Sequence, residues 1–190
     1  MTRRRVVFTT LMATAALGLA LASCSSSSSD ESFDVTGRQT TLSLGAAATQ
    51  SLQRAGVTVK AIAPAKGASD GGIIFPVTGG SIRKSDLKGS VKHSGGLSFT
   101  TSEGTLTFTD PTIDTTSGLM SATVQGNVNT VLQLTPIKVD SPTADSVVVT
   151  GTASTLFSGF SVLVDQALGV TPFAPNQQLG PVVTDLSYKQ

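Results

Sequence analysis

Residues 97–109 read Leu-Ser-Phe-Thr-Thr-Ser-Glu-Gly-Thr-Leu-Thr-Phe-Thr, and this stretch constrains the fold more than any other. Leu97 and Phe99 alternate with Ser98 and Thr100, and Leu106 and Phe108 alternate with Thr105, Thr107 and Thr109. A period of two places the apolar side chains on one face of an extended strand and the hydroxyls on the other. Ser102-Glu103-Gly104 lies between the two runs and is short enough to close a hairpin. Similar runs predict strands at 73–77, 118–125, 130–139, 146–153 and 180–188, in a chain dominated by Thr, Val, Ser and Gly. Pro136 sits inside the run 130–139. It has no N–H for a ladder, so that strand is expected at an edge or with a bulge.

Two segments depart from this pattern. Ala46 to Ala55 and Ser158 to Leu168 are helix formers, and each is followed by a glycine, Gly56 or Gly169, suited to a left-handed cap. Each glycine is followed by Val-Thr and, a few residues on, by Ala-Pro, which suggests two related units at the start and end of the domain. The expected fold class is mainly β: an antiparallel β-sandwich with two short helices covering its open ends.

The N-terminus has a different character. Arg3-Arg4-Arg5 precedes an apolar stretch, Val6 to Ala22, too short and too rich in small residues for a stable span, which needs about 20 apolar residues. Leu21-Ala22-Ser23-Cys24 fits a bacterial lipobox, in which the cysteine thiol takes up a diacylglyceryl group. Residues 1–23 are therefore expected to be a lipoprotein signal peptide, exported by the general or the twin-arginine route. Residues 24–39 are expected to be a Ser-rich tether anchored through the lipid on Cys24, and residues 40–190 one β-rich domain on the outer face of the cell membrane. Cys24 is the only cysteine, so no internal disulfide is available. Without residues 1–23 the chain keeps 10 basic and 12 acidic residues, a net charge of −2. With no basic stripe and no Trp, nucleic-acid binding has no footing.

Little in the chain points to catalysis. Gly67-Ala68-Ser69-Asp70-Gly71 fits the string G-x-S-x-G, which needs a strand before the serine and a helix after it. Here a loop precedes it and a strand follows, so a hydrolase using Ser69, with His93 as base and Asp86 as orienter, is the remote alternative to a chain that is not an enzyme. Asp110 and Asp114 flank a turn and suit capping better than calcium. His93 is the only histidine. If residues 89–101 run as one strand, it shares a face with Val91, Leu97 and Phe99, and Gly95-Gly96 can add a bulge that shifts the phase.

The stretch from Gly79 to Val124 resembles the HtaA family of haem-uptake domains on actinobacterial surfaces. The matching residues are Val91-Lys92-His93-Ser94-Gly95-Gly96-Leu97, then Thr107-Phe108-Thr109-Asp110-Pro111, then Leu119 to Val124. The resemblance implies a β-rich domain that holds haem with a tyrosine on the iron and a supporting histidine, and His93 stands at the motif's histidine. The family's tyrosine lies early in its domain, whereas the only tyrosine here is Tyr188, and the family's tryptophan is missing. On this resemblance Val91, Leu97 and Phe99 would line a slot, Lys92 or Lys88 would meet a propionate, and His93, Tyr188 or Met120 would reach the iron. The expected function is a non-catalytic cell-envelope lipoprotein with a binding domain for haem uptake or relay. The alternative is a structural or protein-interaction lipoprotein with no haem site, its partners being the membrane and an envelope protein.

Overall fold

The computed structural model describes residues 31–140, 143, 145–154, 158–174 and 176–189; the expected signal peptide, Cys24 and the serine run fall outside them. In chain order the elements are β1 (Ser32–Leu42), α1 (Ala46–Arg54), β2 (Thr58–Ile62), β3 (Lys66–Gly67), β4 (Ile73–Arg83), β5 (Gly89–His93) and β6 (Gly96–Thr100). They continue with β7 (Thr105–Asp114), β8 (Leu119–Val124), β9 (Asn127–Leu134), β10 (Lys138–Val139), β11 (Ser146–Ser154), α2 (Ser158–Leu168) and β12 (Gln178–Lys189).

The strands form one antiparallel sheet, and its pairings run in a ring. β1 pairs β4, β4 pairs β5, β5 pairs β7, β7 pairs β8, β8 pairs β9, β9 pairs β11, β11 pairs β12, and β12 returns to β1. Eight strands thus close a barrel, which corrects the expected sandwich. The physical reason is that the first and last strands meet: Thr40 lies opposite Thr184 and Leu42 opposite Val182, so one twisted sheet has no need of a second to cover it. β6 continues the line of β5 along β7 and carries β2 on its outer edge; β3 and β10 are short additions to β4 and β11. The ring and its buried core are complete within residues 32–189.

Side chains alternate in and out around this ring. On β12, Val182, Thr184, Leu186 and Tyr188 are buried, while Val183 is 45% exposed. Leu106, Ile113, Ile82 and Val91 are shut off from solvent almost entirely, each contributing about 1.5–3 kcal/mol by burial. The fold also begins earlier than expected. β1 starts at Ser32, inside the expected tether, because Phe33 and Val35 are core residues. The expected strand 130–139 is split: β9 stops at Leu134, and the chain re-forms as β10 beyond Pro136.

Both helices end as expected, with Gly56 at φ +66° and Gly169 at φ +67°. The likeness between the two units stops there, since α1 leads into strand β2 whereas among the described residues no strand follows α2 until Gln178.

Candidate functional site

The sequence around His93 builds a break between two strands on one line. Gly95 adopts φ +81°, and its neighbour Gly96 lies so close to β7 that a Cβ there would stand 1.9 Å from the Phe108 carbonyl oxygen. On the facing strand Asp110 takes φ +52° and its N–H bonds the Gly95 carbonyl at 2.8 Å. The register of β7 shifts between Thr109 and Thr112, and Pro111 there lines the voids inside the barrel. The two halves of the sequence motif therefore meet: His93 Nδ1 donates to the carbonyl of Pro111 at 2.8 Å.

His93 points into the barrel and is only 4% exposed. Its Nε2 lies 2.6 Å from Thr40 Oγ1, and the Thr40 and Thr184 hydroxyl oxygens are 2.8 Å apart. Desolvation pushes the imidazole down to about 4, against the smaller upward pull of the Pro111 carbonyl. The ring is therefore neutral at pH 7, with the proton on Nδ1 towards the Pro111 carbonyl and Nε2 against the Thr40 hydroxyl. Neither nitrogen offers a free lone pair. Thr40 and Thr184 could not be singled out from sequence, because threonine recurs throughout this chain as a strand former and both lie far from His93 along it.

Two voids adjoin this network. The larger, about 60 Å³, is lined only by apolar side chains, among them Phe75, Phe108 and Met120 from the barrel strands, Leu97 and Phe99 from β6, Val59 from β2, and Val164 of α2 and Phe173, which cover that end. Phe99 meets Phe108 edge to face at 5.3 Å and Phe173 at 6.4 Å. The smaller, about 10 Å³, is lined by His93, Thr40, Ile113 and Val182, and shares Leu42, Phe75, Pro111 and Met120 with the larger. The expected common face of His93, Leu97 and Phe99 is thus the barrel interior.

The other sequence-derived site residues are not brought to this place. Lys92 is exposed, because adjacent residues of a strand face opposite ways, and it cannot meet a ligand on the side of His93. Lys88 sits outside, 3.8 Å from Asp86. Tyr188 faces inward but lies four residues along β12 from Thr184, about 13 Å at roughly 3.3 Å per residue. Its hydroxyl donates to the Thr143 carbonyl and its ring packs on Phe33 at 4.2 Å. His93 and Tyr188 therefore do not converge on one iron, and the polar atoms of both are engaged. A haem is also far larger than these voids, which together are smaller than the cavity of about 150 Å³ known to take up a single benzene. These residues do not fit axial coordination of haem within the barrel.

Ser69 is exposed in a turn between β3 and β4, with no helix after it, and Asp86 holds Arg83 through bonds of 3.0 and 2.6 Å. With His93 inside the barrel, the Ser69 triad is not assembled. Asp114 accepts from Thr116 N–H at 2.7 Å and from Ser117 Oγ at 2.9 Å, as a turn cap does. No cluster of metal-ligating side chains occurs among the described residues.

No family model and no curated protein matches this chain. Four chains of solved structures do. The C-terminal domain of HtaA from Corynebacterium glutamicum is 17% identical with a TM-score of 0.61, over 83% of this chain and 99% of that one. The heme-binding protein HtaB from the same organism is 15% identical with a TM-score of 0.55, over 83% and 96%. A domain-swapped dimer of a histidine-to-alanine variant of the same HtaA domain is 17% identical with a TM-score of 0.51, over 75% and 92%. At these identities the likeness establishes a shared fold.

Proposed function

We propose that this chain is a non-catalytic lipoprotein of the bacterial cell envelope, anchored through Cys24, whose barrel serves haem uptake or relay. The observation that carries this reading is the fold shared with HtaB, a heme-binding protein, across 83% of the chain. The apolar, aromatic lining at the capped end of the barrel supports it, since the flat faces of a porphyrin are apolar. On this reading the porphyrin, too large to enter the void, rests across that end of the barrel by its apolar faces, while His93 stays in its internal hydrogen bonds. The test is a haemin titration of residues 31–190 followed in the Soret band. A saturable shift that survives Tyr188→Phe is expected; a featureless titration of the folded protein overturns the reading.

The small voids and engaged polar groups favour a second reading, a structural or protein-interaction lipoprotein without haem. It predicts that featureless titration.

A further inference from the structure

We propose that Thr40 is the moving part of a proton switch: its hydroxyl hydrogen goes to His93 when the ring is neutral and to Thr184 when the ring is charged. The observation behind this is one hydrogen with two acceptors in reach. Thr40 Oγ1 lies 2.6 Å from His93 Nε2 and 2.8 Å from Thr184 Oγ1, and a hydroxyl has a single hydrogen to give. The link to Thr184 has the geometry of a bond donated by Thr40. On the other side of the ring there is no choice, because the Pro111 carbonyl only accepts, so Nδ1 carries a proton in both states. What Nε2 carries therefore decides the rest. A bare Nε2 takes the Thr40 hydrogen, and the link to Thr184 lapses. A protonated Nε2 donates to Thr40 instead, and the hydrogen is given to Thr184.

The switch sits where the barrel closes. Thr40 of β1 and Thr184 of β12 are direct partners in the pairing that joins the two ends of the ring, while His93 belongs to β5 and Pro111 to β7. A proton taken up on β5 thus makes a side-chain bond across the β1–β12 seam. Thr40, His93 and Thr184 are 3%, 4% and 1% exposed, so water does not stand in for a missing partner. No neighbouring charge competes for the proton. Besides Thr40, the side chains around His93 are Leu42, Phe75, Pro111, Ile113, Met120 and Val182, from β1, β4, β7, β8 and β12, and none of them titrates. Charged residues of the strands concerned lie outside: Lys92, Arg38 and Asp110 are exposed, Asp185 pairs with Arg38, and Arg83 pairs with Asp86. Burial pushes the imidazole down to about 4, so the hydrogen rests on His93 at pH 7 and turns to Thr184 in acid.

His93 is the only histidine, so its ring Cε1–H gives one NMR signal that can be followed in residues 31–190 as the pH is lowered from 7. Thr184→Val removes the acceptor at nearly equal size, with Thr184→Ala as the alternative should Val disturb folding; thermal melts check both. Only the charged setting loses a bond by this change, and that bond is charge-assisted. The His93 midpoint should therefore fall by at least about 0.5 pH unit, a roughly threefold weaker protonation. Thr41→Val, the next residue along β1 and facing the other way, should leave the midpoint in place. Should acid unfolding cut the curve short, the displacement is read from the limb above it. At pH 7 the ring nitrogen shifts should show the proton on Nδ1 and Nε2 bare. A midpoint unchanged or raised in a folded Thr184 variant, one displaced equally by Thr41→Val, or a proton on Nε2 at pH 7 overturns the proposal. No ligand enters this test, so its outcome and that of the haemin titration are independent.

Discussion

Lowering the pH from 7 to 5 should weaken this fold through one buried side chain. Burial holds His93 at about 4 in the barrel, against 6.5 for a free imidazole. A group whose pKa is depressed by folding stabilises the native state above its unfolded value, and that stability is lost as the pH falls from 6.5 towards 4. For those two values the loss between pH 7 and pH 5 comes to about 2 kcal/mol. No carboxylate or cation lines the void beside His93, so no neighbour offsets the change. Glu31, hydrogen-bonded to Lys84, and Asp86, hydrogen-bonded to Arg83, are held below the usual carboxylate range and titrate on the acid side of this window. The assay is urea unfolding of residues 31–190 by circular dichroism at pH 7, 6 and 5, beside His93→Gln. The parent should lose about 2 kcal/mol more than the variant over that range. Equal losses in the two proteins would refute the buried neutral imidazole.

Two further substitutions test the frame around the site. Gly96→Ala should cost at least about 2 kcal/mol by forcing a Cβ against the Phe108 carbonyl, whereas Gly67→Ala, with open space around it, should stay within about 0.5 kcal/mol; equal melting temperatures would contradict the packing described. Cys24→Ser should move the exported protein from the detergent phase to the aqueous phase, and unchanged partitioning would remove the lipid anchor.

Much of the fold was legible because its information is local. Alternation at 97–109 marks a hairpin, and glycines end both helices. β1 escaped notice because Asp34, Arg38 and Gln39 dilute its apolar residues, and its register shifts between Val35 and Gly37, breaking the period of two. β2 escaped because it is a five-residue edge strand with no buried residue. Closure into a barrel was not legible, since it depends on pairing Asp34 with Lys189 at the two ends of the fold. At the site, the inward face of His93 followed from strand parity and the bulge from Gly95-Gly96. Its partners did not: Thr40 lies on another strand, and the Pro111 carbonyl sits in a register shift of β7 that the sequence does not mark.

The claim that this barrel holds a porphyrin by its faces, and not through iron, is tested most directly by comparing haemin with iron-free protoporphyrin IX on residues 31–190. Fluorescence and Soret titrations should give dissociation constants within about threefold of each other, less than 1 kcal/mol apart. Haemin bound more than about tenfold tighter than protoporphyrin, with that advantage lost in His93→Gln, would contradict the account, as would no saturable binding of either.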